Sequence, residues 1–160
     1  MAINYRRIEP KDNEALSKVI KSSLERLDLA LDGTVYTDEA TDFMFDGYQK
    51  DGSVYFIAEE DGELLGGSGI AAIPNQTDNY CELQRMFLNE SARGKGIGRA
   101  LMTKCIDFAR DFGYDLVYLE TFGDMNSARK LYERSGFKYV DESIGNTGHF
   151  SCNIYMTLDL

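Results

Sequence analysis

Apolar side chains recur at spacings of four and three at Leu16, Ile20, Leu24, Leu27 and Leu31. This predicts a helix over about residues 12–31, opened by Asp12 as a cap and stopped by Gly33. Residues 3–8 read as a short strand ending before Pro10. A second helical stretch is expected over about residues 38–49; it carries Phe43, Met44 and Tyr48 and is also acidic, with Asp38, Glu39, Asp42 and Asp46. Residues 53–59 and 63–73 read as strands joined by Asp61-Gly62, a hairpin signal. Gly66, Gly67 and Gly69 in the second of these imply bulges or close backbone approach. Residues 80–88 form a further strand with imperfect alternation. A helix over about residues 96–112 carries the stripe Ile97, Leu101, Cys105 and Ala109, with Phe108 and Phe112 beside it and Gly113 ending it. A strand at 116–121, a helix at 126–135 stopped by Gly136, and strands at 137–140 and 150–158 complete the chain. The order β-α-α-β-β-β-α-β-α-β-β mixes hairpins with helical crossovers, so a mixed α/β sheet with helices on its faces is expected.

Length and composition narrow this picture. The 160 residues, 43% hydrophobic and 28% charged, suit one domain over 1–160 with one core. No run approaches the roughly 18 apolar residues of a membrane span, and the first residues lack the pattern of a secretion signal. A cytoplasmic protein is expected. Cys81, Cys105 and Cys152 are far apart, follow no metal-binding spacing and fall in apolar segments, so they read as reduced core residues. The net charge of −10 disfavours nucleic acid and anionic lipid as partners and favours a cationic one.

Against that acidity, the segment Arg93-Gly94-Lys95-Gly96-Ile97-Gly98-Arg99 stands out. It joins a strand to a helix, its glycines let backbone N–H groups converge, and the helix start adds partial positive charge. From residue 91 to 106 there are four basic side chains and no acid. Cations at a helix start oppose its dipole, and a bound anion resolves the conflict. The spacing Gly94, Gly96, Gly98 is neither the dinucleotide fingerprint nor the Walker loop, which needs a Gly-Lys-Ser/Thr ending.

The same segment resembles the R/Q-x-x-G-x-G/A signature of the GNAT superfamily of N-acetyltransferases. The resemblance continues through Asn126-Ser127-Ala128 and Leu131-Tyr132-Glu133-Arg134-Ser135-Gly136-Phe137 and covers about residues 80–140. It implies a three-layer α/β/α fold around a central mixed, mostly antiparallel sheet of about seven strands. It also implies acetyl-CoA as co-substrate, no metal, and direct acetyl transfer to a primary amine, with a small molecule favoured over a protein as acceptor. Homodimers are common in the family, so a homodimer is among the expected assemblies. In this likeness Arg93, Gly94, Lys95, Gly96, Ile97, Gly98 and Arg99 hold the coenzyme pyrophosphate. The backbone of Met86, Phe87 and Leu88 pairs with the pantetheine arm as an added strand, and Asn126 hydrogen-bonds that arm, although an Asn there also serves as a plain helix cap.

Acetyl transfer to an amine needs a proton acceptor, a polarised thioester carbonyl and a donor for the departing thiolate. The resemblance puts Glu82 forward as general base and Tyr132 as the acid that protonates the thiolate. Glu120, on the next central strand, is the second candidate base. The family places the oxyanion donor at a backbone N–H near Met86 or Phe87. His149, the only histidine, reads as a loop residue. The acidic stretch at 38–49, with Tyr36 and Tyr48, is either a wall for a cationic acceptor or a solvated face. Two rival readings stand beside acetyl transfer: a non-catalytic CoA-binding or sensor domain of the same fold, and a module for another phosphate ligand.

Overall fold

The computed structural model describes residues 2–32, 34–74, 76, 78–121, 126–145 and 152–160. Seven strands, β1 (Asn4–Arg7), β2 (Val54–Glu60), β3 (Glu63–Ala72), β4 (Tyr80–Leu88), β5 (Leu116–Thr121), β6 (Lys138–Val140) and β7 (Ile154–Asp159), form one sheet in the order β1-β2-β3-β4-β5-β7-β6. Every neighbouring pair is antiparallel except β4 and β5, which run parallel. Parallel neighbours need a long crossover, and helix α3 (Ile97–Phe112) supplies it. The mixed, mostly antiparallel sheet expected from the sequence is therefore present.

Helices cover both faces. On one, α1 (Asn13–Arg26) lays Leu16, Val19, Ile20 and Leu24 against Tyr55, Ile57, Leu64 and Phe87, with the single turn α2 (Met44–Gly47) adding Met44. On the other, α3 packs Met102, Cys105 and Ala109 against Val54, Ile70, Cys81, Leu83 and Val117, and α4 (Asn126–Arg134) joins that cluster through Tyr132. The Asp61-Gly62 hairpin is confirmed. Both residues have positive φ, 53° and 80°, the left-handed pair that a two-residue turn requires to match strand twist.

Three expectations are corrected. Helix α1 ends at Arg26, not near Leu31. Asp28 takes a left-handed backbone (φ 59°). The N–H of Leu29 then bonds the carbonyl of Leu24 at 2.7 Å, and that of Asp28 bonds Glu25 at 3.1 Å, a two-bond cap that closes the helix. Leu31 is left 45% exposed; Gly33, the expected stop, lies outside the described residues. The stretch 38–49 is not one helix. A 3-10 turn, Glu39–Asp42, is capped by the Asp38 side chain and breaks at Phe43 before α2 begins. The third correction concerns Cys152. It precedes β7 and is only partly buried, unlike Cys81 and Cys105.

The expected irregularity of β4 is a bulge. From Gly67 to Gly69 the partners on β4 run from Phe87 to Gln84, so β4 carries one residue more than β3. Arg85 sits in it with φ 48°, and a bulge bends and twists its strand. The glycines of β3 permit the close contacts. A Cβ on Gly67 would lie 2.3 Å from the Tyr55 ring, and one on Gly66 would lie 2.2 Å from the carbonyl oxygen of Phe87.

Candidate active site

The parallel pairing of β4 with β5 stops after Tyr80↔Leu116, Cys81↔Val117 and Glu82↔Tyr118. Beyond Glu82 the bulged β4 leaves β5, and among the described residues its Leu83–Leu88 edge gains no strand partner on that side. This fork holds two spaces. A cavity of about 70 Å³ is walled by Glu82, Arg85, Phe87, Glu120, Tyr132 and Cys152, among others. A groove of about 480 Å³ runs from Met86, Phe87 and Leu88 past Arg93, Gly94 and Gly98 to Asn126 and Leu131.

Of the seven residues expected to hold a phosphate ligand, the groove is lined by three, Arg93, Gly94 and Gly98. Gly94 (φ 79°) and Gly96 (φ 75°) both take left-handed backbone. Gly96 occupies the cap position of α3, so the free N–H groups of the first turn point out of the helix start. Arg93 and Gly98 line the groove, and Ile97 is a buried anchor beneath the turn. Lys95 and Arg99 are not among its lining residues, and Lys95 makes a 3.4 Å ion pair with Glu60. Lys104, counted with the basic segment, lies over the rings of Tyr5 and Phe56. Asn126 begins α4, as the sequence implied, and is exposed at the groove.

The smaller cavity brings together all three catalytic candidates. Glu82 is 4% exposed. Burial, with the negative charge of Glu120 adding to it, pushes its carboxyl up to about 7, while a hydrogen bond from Gln84 and the charge of Arg85 act in the opposite direction. Gln84 Nε2 donates to Glu82 Oε1 at 2.6 Å, and Gln84 Oε1 accepts from the Tyr48 hydroxyl at 2.7 Å. Glu120 accepts a 2.7 Å hydrogen bond from the Tyr118 hydroxyl. Tyr132 is buried and meets Phe137 edge-on at 6.0 Å. Its hydroxyl is held well above the usual phenol range by burial, so it keeps its proton. Cys152, expected in the core, instead borders this cavity, and burial pushes its thiol up to about 12.

Sequence reasoning missed four side chains here: Gln84, Arg85, Tyr118 and the role of Asp38. Arg85 Nη2 bonds Asp38 Oδ2 at 2.5 Å, and Arg85 Nη1 reaches the Tyr48 hydroxyl at 3.4 Å. The acidic stretch is therefore only partly a solvated face: Asp38 is committed to Arg85, and Asp42 to Ser17 and Lys21. His149 lies outside the described residues. Among the described residues no three His, Cys, Asp or Glu side chains converge as a metal site, and no helix is long and apolar enough to cross a membrane.

The sequence model described as Acetyltransferase (GNAT) family matches residues 22–137. The uncharacterized N-acetyltransferase YjgM of Escherichia coli (strain K12) is 35% identical over 156 residues, 97% of this chain and 93% of that protein. The N-acetylaspartate synthetase of Homo sapiens is 39% identical over 92 residues; the match takes in 58% of this chain but only 30% of that relative. Among solved structures, an acetyltransferase of the GNAT family from Staphylococcus aureus Mu50 superposes with a TM-score of 0.85 at 22% identity, covering 99% of each chain. YncA from Salmonella typhimurium, solved with acetyl-CoA, superposes with a TM-score of 0.79 at 19% identity, covering 100% of this chain and 95% of that one.

Proposed function

The chain belongs to the acetyltransferase (GNAT) family and is an N-acetyltransferase, and from its cavity we propose that it carries acetyl from acetyl-CoA directly to the primary amine of a small-molecule acceptor. Residues 1–160 act as one catalytic domain. The observation that carries this reading is the meeting of Glu82 and Tyr132 in one cavity at the β4–β5 fork. A carboxylate that titrates near neutrality is matched to taking a proton from an ammonium, whose ordinary pKa is about 10.4. A phenol that resists ionisation is matched to giving one. Glu82 accepts the proton of the acceptor ammonium, directly or through a water. The freed amine forms the amide bond as the thioester bond breaks, the Tyr132 hydroxyl protonates the departing thiolate, and the proton that the new amide nitrogen sheds restores the Tyr132 hydroxyl. Glu120 assists by keeping the affinity of Glu82 for the proton high.

The groove suits the donor. Left-handed glycines and a helix start form an anion cradle, Arg93 adds charge, and the open edge of β4 offers main-chain groups to an amide-bearing arm. Met86, Phe87, Leu88 and Asn126 all border the same groove. Gly94, Gly96, Ile97, Gly98, Lys95 and Arg99 complete the proposed phosphate-binding set. The small size of the cavity favours a slender acceptor over a folded protein surface, and relatives named for making N-acetylaspartate point the same way.

An acceptor screen following thiol release at saturating acetyl-CoA tests the reaction, with Glu82→Gln and Glu120→Gln beside the wild type. Glu82→Gln is expected to lower kcat/KM by about 10²-fold or more, and Glu120→Gln by less. An unchanged kcat/KM in Glu82→Gln removes Glu82 as base.

A further inference from the structure

Arg85 is built into the wall of the smaller cavity at a cost. Regular alternation would turn the residue after Gln84 to the face covered by α3. The bulge and its left-handed φ of 48° instead bring Arg85 to the side of Tyr48 and Asp38. That backbone is unfavourable for any residue with a Cβ, and such strain gathers at functional positions. Tyr55 holds it in place, its hydroxyl donating to the Arg85 carbonyl at 2.6 Å.

The side chain is 8% exposed and forms part of the cavity wall that also contains Glu82. Its two terminal nitrogens are engaged by Asp38 and Tyr48. Its Nε is buried and has no hydrogen-bond partner among the described residues. A guanidinium always carries its charge and presents donors in a planar fork shaped for carboxylates, and an unmet buried donor is unfavourable until something accepts from it. A permanent cation with a spare donor and a titrating carboxylate thus share one small space. That pairing complements a molecule with a positive end and a negative end.

We propose that Arg85 anchors a carboxylate of the acceptor, so that the acceptor class is a small amino acid whose amine is presented to Glu82 while its carboxylate pairs with the Arg85 guanidinium. The proposal rests on the acetyl-transfer reading and adds the substrate class to it. Asp38 and Tyr48 hold the guanidinium in orientation, and the bulge sets how far the carboxylate stands from the reacting amine.

The test is a set of matched acceptors: amino acids, their primary amides and their decarboxylated amines, with thiol release measured at saturating acetyl-CoA. In the wild type the acids are expected to exceed both counterparts in kcat/KM by about 10- to 100-fold. Arg85→Gln is expected to erase that preference through a raised KM for the acids alone, and Arg85→Lys to restore part of it. Amides or decarboxylated amines that match the acids in wild type overturn the proposal. So does an Arg85→Gln variant that slows all three classes alike. Where Arg85→Gln does not fold, the double variant Arg85→Gln/Asp38→Asn removes the carboxylate charge that Arg85 balances, and the wild-type ratio stands as a test without any variant. Absence of thiol release with every amine would instead defeat the acetyl-transfer reading. Thermal unfolding with CoA plus N-acetyl amino acids or their amides then decides the anchor: protection by the acids alone supports it, and equal or no protection by both sets overturns it.

Discussion

The carboxamide of Gln84 lies 2.6 Å from the carboxylate of Glu82 and donates to it. Two residues apart on β4, the pair share one face of the strand. The hydrogen bond favours the charged form of Glu82, opposing the burial that pushes its carboxyl up to about 7. Gln84 in turn accepts from Tyr48, whose hydroxyl burial pushes up to about 12, so that donor stays protonated. With Glu82 as base, kcat/KM of the wild type should rise with pH and level off above about 7. Gln84→Met removes the donor, and the rising limb should move to higher pH. A pH–rate profile at saturating acetyl-CoA checks this; a limb that stays in place would mean that Gln84 does not tune the base.

Stability carries the same signature with the opposite benefit. The ordinary carboxyl value of 4.5 rises to about 7 in the fold. Between those values the folded chain holds a proton at Glu82 that the unfolded chain has released. The contribution of this group is therefore fully present below about pH 4.5 and is lost as pH rises through about 7. Glu82→Gln keeps the shape and cannot ionise. Relative to wild type it should gain about 3 kcal/mol on going from pH 4 to pH 8.5. Denaturant midpoints of the two proteins at both pH values measure the difference; a constant gap would sink the assignment of a raised carboxyl.

Tyr132→Phe keeps the edge-on contact with Phe137 and deletes only the hydroxyl. Thermal stability should change little. If the hydroxyl protonates the departing thiolate, kcat should fall by about 10²-fold or more, with the KM for acetyl-CoA nearly unchanged. Steady-state kinetics separate the two parameters, and an intact kcat would reject the acid role.

The turn before α3 makes a different prediction. A Cβ on Gly96 meets nothing within 4 Å, but φ there is 75°. Gly96→Ala should therefore cost about 1 kcal/mol through backbone strain alone. If these backbone groups cradle the coenzyme phosphates, the KM for acetyl-CoA should rise while kcat at saturation holds. Thermal melts and acetyl-CoA titrations read the two effects, and an unchanged KM would argue against the cradle.

Local signals were the most legible. The hairpin at Asp61-Gly62, the strand, turn and helix over β4 and α3, and the buried stripe Ile97, Leu101, Cys105 and Ala109 each follow from residues close in sequence. The end of α1 was not readable because a left-handed Asp28, rather than a glycine, closes it. The break at Phe43 depends on tertiary anchors: Asn13 Oδ1 accepts from the Phe45 N–H at 2.8 Å, and Asp42 is held by Ser17 and Lys21. In the candidate site, Glu82 and Tyr132 were reachable through the family likeness, and Glu120 through its place on the neighbouring strand. Arg85 was not, because simple alternation turns it to the wrong face, and only the bulge corrects its direction. Its partners Tyr48 and Asp38 lie 37 and 47 residues away, beyond any local pattern. Cys152 was misplaced for a related reason: an apolar segment predicts burial but not which space it borders.

The brief contact between β4 and β5 has a mechanical meaning. With only three residue pairs along that seam, the sheet behaves as a four-stranded piece and a three-stranded piece sewn together at one end. Cooperative units divide where backbone pairing is sparse. Amide exchange should therefore find two regions of differing protection meeting at Glu82, the residue where the stitching ends.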